Sequence, residues 1–200
     1  MRTLLPRLCV ATGNAGKLRE FEALLAGFAL EIVPQSALGI APIDETGSSF
    51  EANALLKARH AAGRSGCAAL ADDSGLEVDA LEGAPGVYSA RYAGVGATDA
   101  DNNAKLLVAL AGVAEPRTAR YRAVLALVRS AGDPAPLVAH GSWEGRIARV
   151  PCGSGGFGYD PLFLVGDTAH TAAELDAAHK NRISHRALAL AALGARLDSL

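Results

Sequence analysis

The sequence predicts an α/β fold in which a mixed sheet is flanked by helices, and three observations lead to this prediction. Strand-like and helix-like segments alternate through the first part of the chain. Strand-like segments then follow one another in the middle, and the C-terminal tail has the pattern of a helix. This order is typical of a sheet covered by helices.

The first elements are read from runs of apolar residues and the residues that interrupt them. An apolar run at 7–11 predicts a buried strand. From 15 to 26, apolar residues recur every three or four positions, which predicts a helix with one core face that ends at Gly27. A second strand at 30–33 stops at Pro34.

The remaining elements are predicted from capping residues, turn residues and strand alternation. Up to the middle of the chain they are a loop at 35–47, a helix from Ser48 or Ser49 to about Gly63, a strand at 67–71 that ends in a turn at 72–75, extended chain at 76–81 and a loop at 83–96. After it they are a helix from Thr98 to about Gly112, strands at 117–129, 137–142 and 146–150, a glycine-rich loop at 151–159, a strand at 161–165 and a helical tail from about Thr171.

Size and composition indicate one domain over residues 1–200, which we expect in the cytoplasm. Half of the 200 residues are hydrophobic and 20% are charged, so the chain can form a core. The formal net charge of -2 argues against binding of nucleic acid or membranes by bulk electrostatics. Pro6 and Arg7 interrupt the N-terminus too early for a signal peptide, and no apolar stretch approaches the roughly 18 residues of a membrane span. The three cysteines form neither a disulfide framework nor a zinc pattern.

A candidate anion site lies between the first strand and the first helix, at Thr12-Gly13-Asn14-Ala15-Gly16-Lys17. Backbone N–H groups at a helix N-terminus bind anions when glycines make them accessible, and Lys17 adds a full positive charge. The segment is not a Walker A loop, because that pattern requires glycine at Ala11 and serine or threonine at Leu18. The open alternative is an ordinary tight turn.

Two adjacent carboxylates, Asp72 and Asp73, follow the strand at 67–71. Because an unpaired buried carboxylate is costly, both must face solvent or a cation. Oxygen ligands of this kind suit Mg²⁺, which binds one or two carboxylates together with phosphates and water. Asp44 or Glu45 would complete such a site, and the open alternative is a solvated turn.

An aromatic, glycine-rich segment at 153–161 is a candidate binding site for a flat ligand. Phe157 and Tyr159 stand among glycines there, so a ring can stack on a nucleobase with backbone amides within reach. The open alternative is a hairpin loop whose aromatic residues cover the core.

A basic segment at 180–186 leads into the last predicted helix. Ser184 resembles an N-cap, and His185 and Arg186 follow it in the first turn, where positive charge opposes the helix dipole. Such cations favour an anionic or carbonyl-rich ligand, and the open alternative is an accidental arrangement at the surface.

Taken in order, these segments resemble the inosine/xanthosine triphosphate pyrophosphatase family of the Ham1 type, over nearly the whole chain. The matching stretches are Ala11 to Lys17, Glu45-Thr46-Gly47, Asn53-Ala54 with Lys57-Ala58, Ala71 to Gly75, Gly83 to Arg91, Ser154 to Pro161 and Lys180 to Arg186. The resemblance implies a two-lobed α/β fold with a long mixed sheet and a central cleft. It also implies a homodimer that uses Mg²⁺ to hydrolyse ITP, dITP and XTP to the nucleoside monophosphate and pyrophosphate.

The resemblance further implies a role for each matching residue. The implied triphosphate contacts are Thr12, Gly13, Asn14, Ala15, Gly16 and Lys17, with Lys57 near the phosphates and Ser74 against the substrate. The implied metal contacts are Asp73, Asp72 and Glu45, with Asp44 as the alternative to Glu45, and Asp73 also accepts the proton of the attacking water. The implied base contacts are Phe157 as the stacking ring, Gly158, Tyr159 and Asp160 beside it, and Lys180, His185 and Arg186 at the edge of the base.

One position departs from the family pattern. Ala52 stands where many members have an acidic residue, and Glu51 points about 100° away from that position on a helix, so it receives no metal role. Two other functions stay open, a pyrophosphatase for other triphosphates, as in the related Maf-type fold, and a nucleotide-binding sensor without turnover. The presence of both Asp72 and Asp73 argues against the sensor.

Overall fold

The computed structural model describes residues 7–27 and 30–197, which divide into two compact units. Among the described residues, unit 1 comprises 7–27, 30–73, 123–141 and 186–197, and unit 2 comprises Ser74–Arg122 and Ser142–His185. The expectation of a single domain stays a prediction. Within the described ranges, no helix combines the length and the apolar character that a membrane crossing requires.

Six strands and five α-helices form the regular structure of these residues. In chain order they are β1 (Arg7–Ala11), α1 (Ala15–Leu25), β2 (Glu31–Pro34), α2 (Phe50–Ser65), β3 (Ala68–Val78), α3 (Asp99–Ala109), β4 (Thr118–Val128), β5 (Leu137–Ile147), β6 (Phe163–Val165), α4 (Ala177–Ile183) and α5 (His185–Leu197).

The strands form one mixed sheet in the order β2-β1-β3-β4-β5-β6. Strand β1 pairs in parallel with β2 and with β3, whereas β5 and β6 are antiparallel. The predicted α/β class, a mixed sheet flanked by helices, is confirmed.

Side chains at the helix N-termini explain where three helices begin. The side chain of Asn14 accepts a hydrogen bond from the N–H of Lys17 and caps α1. Ser49 caps α2 in the same way, and Thr98 and Asp101 form a capping box at the start of α3. The sequence predicted the caps at Ser48 or Ser49 and at Thr98, and the structure selects Ser49.

Both faces of the sheet are covered in unit 1, and alternate residues of each strand serve opposite faces. Leu8 and Leu70 belong to a cluster that includes residues of α1 and α5. Cys9 and Ala71 belong to a second cluster, which includes Ala54, Ala58, Ala61 and Ala62 of α2. This alternation, which follows from the two-residue period of a strand, fixes the direction of every side chain along β3.

Unit 2 has a core of its own. Buried residues of β3, α3 and β5 meet there, among them Leu76, Leu106 and Ile147. Four buried aromatic rings lie in the same cluster, those of Tyr121, Trp143, Tyr159 and Phe163.

Two long strands replace predicted breaks. The turn expected at 72–75 lies inside β3, because both carboxylates have cationic partners and need not turn towards water. The strands expected at 137–142 and 146–150 are one strand, β5, in which Gly145 lies so close to Phe163 and Leu164 that a Cβ atom would overlap them. The helical tail is divided at Ser184, whose extended conformation ends α4 before α5 begins.

Candidate active site

The two adjacent carboxylates of β3 project to opposite faces of the sheet in unit 1. Leu70 packs in the cluster that includes α1 and α5, and Ala71 packs against α2, so the strand period directs Asp72 to the first face and Asp73 to the second. Their contacts agree with this direction, because Asp72 meets Lys17 of α1 and Asp73 meets Lys57 of α2.

Asp73 is held by two residues of α2. Nζ of Lys57 lies 3.2 Å from Oδ1 of Asp73, and Nδ2 of Asn53 donates to Oδ2 at 3.1 Å. The same Nζ lies 2.6 Å from Oε1 of Glu45, so one ammonium contacts two carboxylates. The N–H of Gly47 donates to Oδ1 of Asn53 at 2.8 Å, which ties the Glu45 loop to the helix. We call Glu45, Asn53, Lys57 and Asp73 the acid–lysine cluster.

Burial acts on the pKa values of two side chains in this cluster, Asp73 and Lys57. It raises the pKa of Asp73, and the nearby Glu45 charge raises it further, although Lys57 acts in the opposite direction. For Lys57, burial alone would lower the pKa, but the charges of Asp73, Asp72 and Glu45 outweigh it and the pKa is raised. The cluster therefore combines a lysine that keeps its proton, Lys57, with a carboxylate, Asp73, that accepts a proton more readily than an exposed carboxylate does.

Asp72 lies in a different ionic environment. Its side chain is fully buried, with Nζ of Lys17 at 2.6 Å from Oδ1 and Nε of Arg186 at 3.1 Å from Oδ2. Arg186 also pairs with Glu20 of α1. Burial alone would raise the pKa of Asp72, but the two cations hold it well below its usual range.

The turn before α1 presents backbone groups next to Lys17. Thr12 Oγ1 accepts a hydrogen bond from the N–H of Asn14 at 3.1 Å, and Asn14 Oδ1 accepts from the N–H of Lys17 at 3.0 Å. Gly13, Asn14 and Ala15 are exposed, whereas Gly16 is buried. The first turn of a helix and a lysine are thus arranged as an anion site requires.

A second group of predicted residues meets in unit 2. Oδ2 of Asp160 accepts from Nζ of Lys180 at 2.7 Å and from the N–H of Phe157 at 2.9 Å. The same Nζ lies 5.0 Å from the centre of the Phe157 ring. Gly158 is held at both of its backbone groups, since its N–H donates to Asp99 and its carbonyl accepts from Asn103. We call Phe157, Asp160 and Lys180 the aromatic–lysine cluster.

Tyr159 and His185, two further residues of unit 2 that were predicted to contact the base, are also buried. The hydroxyl of Tyr159 donates to the carbonyl of Ser89 at 2.8 Å. The ring of His185 stacks on that of Tyr121, with 4.8 Å between centres. Ser74 belongs to unit 2 and lies on β3.

The structure assembles some of the predicted metal residues and separates others. Glu45 and Asp73 share Lys57, whereas Asp72 is directed to the opposite face, so its metal role stays a prediction. Asp44 is exposed and lines a cavity with His60 and Arg64. Oε2 of Glu51 lies 3.6 Å from Nε2 of His140, and Glu51 is not part of the acid–lysine cluster.

Arg186, expected at the edge of a base, pairs in unit 1 with Asp72 and Glu20. This geometry ties it to the carboxylate of β3. Its role in base recognition stays a prediction.

Two residues of these ion-pair groups had no predicted role, Asn53 and Glu20. Asn53 precedes Lys57 by four positions on α2, and Glu20 follows Lys17 by three on α1. Residues at these spacings are neighbours on a helix surface. Polar residues at this distance from each candidate lysine were the signal that would have found them.

The donors available for a metal ion are few. Among residues 7–27 and 30–197, no group of three or more His, Cys, Asp or Glu side chains could hold a metal ion. Glu45 and Asp73, gathered on one ammonium, are the pair that resembles half of a Mg²⁺ site, because Mg²⁺ takes one or two carboxylates and completes its shell with phosphates and water.

Comparisons with known proteins point to one family. A model of the Ham1 family matches residues 8–196. A dITP/XTP pyrophosphatase of Xanthomonas oryzae pv. oryzae is 58% identical over 194 residues, which are 96% of this chain and 98% of that protein. One of Methylococcus capsulatus is 57% identical over 195 residues, 97% of each chain.

Solved structures agree with the sequence comparisons. A HAM1 protein of Coxiella burnetii has a TM-score of 0.88 and 49% identity, covering 97% of this chain and 99% of its own. The Ham1 protein of Staphylococcus aureus has a TM-score of 0.84 and 37% identity, covering 96% and 98%. The similarity thus extends over nearly the whole length of each protein.

Proposed function

The chain belongs to the Ham1 family, and on this premise we propose that it hydrolyses ITP, dITP and XTP to the nucleoside monophosphate and pyrophosphate. Hydrolysis of nucleoside triphosphates is supported by two dITP/XTP pyrophosphatases to which the chain is 58% and 57% identical. The choice of these three substrates and the use of Mg²⁺ are our inference.

One observation carries the proposal, the contact of the Lys57 ammonium with both Glu45 and Asp73. Glu45 and Asp73 provide carboxylate oxygens as ligands for a divalent ion. Lys57 provides an ammonium that can contact phosphate oxygens. Hydrolysis of a phosphoric anhydride depends mainly on such positioning and charge neutralisation. The cluster therefore supports a phosphate-cleaving site rather than a simple surface ion pair.

Mg²⁺ fits the donor set of this cluster, with Glu45 and Asp73 as the residues that would hold it. When bound, the ion supplies positive charge that offsets the negative oxygens of the triphosphate. Lys17 and Arg186 contact the two oxygens of Asp72, and the metal contact expected of this residue stays a prediction.

Asp73 is the proposed proton acceptor. An ionised carboxylate within reach of the attacking water can accept its proton. Water attacks the α-phosphorus, the bond from this phosphorus to the bridging oxygen breaks, and the proton of the water passes to Asp73. Pyrophosphate leaves with the electron pair of the broken bond.

Lys17 and the turn at its side are the proposed contacts for the phosphates. The N-terminus of α1, which follows the exposed Gly13 and Asn14, and the positive charge of Lys17 both attract anions. Lys57 supports the same role from α2.

The aromatic–lysine cluster is the proposed site for the purine. Phe157 offers a ring for stacking, and Lys180 offers N–H donors that suit the 6-oxo group of hypoxanthine or xanthine. Adenine carries an amino donor at that position, which would leave a buried donor unpaired at a cost of about 1–3 kcal/mol. This difference favours 6-oxopurines over adenine.

Pyrophosphate release from ITP, dITP, XTP, dATP and dGTP, with and without Mg²⁺, tests the proposal. We expect Mg²⁺-dependent release that is fastest with the three noncanonical substrates, and its loss in Asp73→Asn. Equal rates with every purine would refute the substrate assignment. Tight nucleotide binding without any turnover would instead identify a sensor.

Two further expectations from the resemblance, a homodimer and a cytoplasmic location, stay predictions. Sedimentation of the purified chain tests the first, and a mass of one chain across micromolar concentrations would contradict it.

A further inference from the structure

Tyr121 contacts both Asp160 of the aromatic–lysine cluster and His185, which the resemblance places at the edge of the base. It lies on β4, is 7% exposed, and its hydroxyl donates to Oδ1 of Asp160 at 3.2 Å. Burial and the neighbouring Asp160 charge raise the pKa of Tyr121 well above its ordinary value, so the phenol keeps its proton and remains a donor.

The hydroxyl acts on a carboxylate that has two other partners. The second oxygen of Asp160 accepts from the Lys180 ammonium and from the backbone N–H of Phe157. A carboxylate bonded on one oxygen alone could rotate, whereas Tyr121 occupies the other oxygen and fixes the plane of the group. The hydroxyl therefore determines where the ammonium and the start of the Phe157 loop lie.

The ring of Tyr121 has a separate contact with His185. The two rings are nearly parallel, at an angle of 12° and with 4.8 Å between their centres. Two more rings are neighbours of Tyr121. Between ring centres, Phe163 lies 4.6 Å and Trp143 lies 6.3 Å away. Because these neighbours belong to the buried core of unit 2, the tyrosine cannot change its position without disturbing packed side chains.

We propose that Tyr121 is a positioning residue for purine recognition, which holds Lys180 through Asp160 and holds His185 through ring stacking. The inference rests on the proposed function, in which Lys180 meets a purine that carries an oxo group at C6, and on the role at the edge of the base that the resemblance implies for His185. Discrimination against an amino group depends on a donor held in a fixed place, since a mobile lysine can withdraw and leave the substrate unopposed. Tyr121 would thus influence specificity without touching the substrate.

Tyr121→Phe tests the role of the hydroxyl, because it retains the ring and its stacking on His185. We expect the ratio of kcat/KM for dITP to that for dATP to fall about fivefold to tenfold, mainly through KM. The kcat for dITP should change less than about twofold. Equilibrium binding of non-hydrolysable dITP and dATP analogues should show the same loss of ratio.

A double variant tests whether the effect passes through the lysine. Lys180→Met keeps most of the side-chain stem and removes the ammonium. If Tyr121 acts through Asp160 and Lys180, then adding Tyr121→Phe to Lys180→Met should lower the ratio by less than about twofold. Ile147→Val, a fully buried residue of the same core, is the matched control, and we expect it to leave the ratio unchanged.

Several results would overturn the inference. An unchanged ratio in Tyr121→Phe, accompanied only by a lower melting temperature, would mean that the hydroxyl has a structural role. Independent effects in the double variant would show that Lys180 is not the residue through which it acts. If Tyr121→Phe fails to fold, Asp160→Asn still tests the inference, because an unchanged ratio in that variant would show that Asp160 does not transmit the effect.

The inference and the proposed function fail in different ways. No pyrophosphate release from the unmodified chain refutes the proposed function, and the binding ratio of the two analogues still tests Tyr121. Pyrophosphate release with full discrimination in both Tyr121→Phe and Asp160→Asn refutes the inference alone.

Discussion

The Nζ atom of Lys17 lies 2.6 Å from Oδ1 of Asp72, so the lysine of the candidate phosphate turn is also half of a buried ion pair. The Asp72 side chain is fully buried, and Arg186 is its second cation. The ion pair gives Lys17 a place in stability, and phosphate binding is its proposed second function, so separate measurements can distinguish the two.

Lys17→Met should lower both stability and activity. Asp72 would keep Arg186 but lose one of its two cations, so we expect a loss of about 1–3 kcal/mol in the free energy of unfolding. The KM for the triphosphate should also rise. Denaturant unfolding and steady-state kinetics measure the two effects.

Arg19→Met is the control, because Arg19 is an exposed cation on the same helix. Its effect on stability should stay within about 0.5 kcal/mol. If Lys17→Met were no more destabilised than Arg19→Met, the ion pair with Asp72 would contribute nothing to folding.

Asp73→Asn should abolish turnover while nucleotide binding persists. The amide keeps the size of the side chain but cannot accept the proton of the attacking water, so we expect kcat to fall about 10²-fold to 10⁴-fold. Single-turnover release of pyrophosphate gives the rate, and calorimetry gives the affinity. Near-native turnover would remove Asp73 from the chemistry.

Asp133→Asn is the matched control for Asp73→Asn, since Asp133 is also a buried carboxylate of unit 1 but is held by Arg129. It should keep its kcat at a temperature where it is fully folded. A similar loss of kcat in both variants would mean that the Asp73 effect comes from general damage to the fold.

The pattern of apolar, capping and turn residues predicted most of the strands and helices, but not the continuity of β5 or the course of the chain through Asp72 and Asp73. Two charged residues after an apolar run are typical of a turn, and the sequence offers no local reason to expect otherwise. Both partners that keep Asp72 inside β3 are distant in the sequence, Lys17 by 55 positions (72 minus 17) and Arg186 by 114. Only the tertiary structure brings such a pair together.

The contacts within the candidate site, like the ion pair of Asp72, could not be predicted from the sequence. The resemblance led to Lys57, Asp73 and Glu45, and the structure adds that one ammonium joins them. The apolar alternation at 117–129 predicted a strand that contains Tyr121, but it gives no information on the partner of the hydroxyl. Pairing across distant elements depends on packing, which a pattern of apolar residues does not specify.

Gly156→Ala should disturb the aromatic–lysine cluster. Gly156 has a φ of +74°, and an added Cβ would overlap Oδ2 of Asp160, the atom that accepts from Lys180. We expect backbone strain of about 1 kcal/mol, together with a displaced carboxylate and weaker discrimination between dITP and dATP. Melting temperature and the ratio of kcat/KM values measure these effects.

Gly166→Ala separates the strain from the displacement. Gly166 has a φ of +53°, and no atom lies within 4 Å of an added Cβ. This variant should be destabilised by about 1 kcal/mol and should keep its discrimination. Loss of discrimination in both variants would show that the Asp160 carboxylate is not what matters.

The contribution of Asp133 to stability should depend on pH. Its carboxylate accepts hydrogen bonds from the guanidinium and backbone N–H of Arg129 and from the N–H of Ala135, which lowers its pKa in the folded chain. A carboxyl with a lowered folded pKa stabilises the fold above its unfolded pKa of about 3.9, and this stabilisation is lost as the pH falls. Asp133→Asn should therefore lower the melting temperature by about 3–9 °C at pH 7 and by a smaller amount at pH 3, where part of the stabilisation remains because the pKa of the folded chain lies lower still. The exposed Asp167→Asn should change it little at either pH, and an equal deficit of Asp133→Asn at both values would show that the charge of Asp133 does not matter.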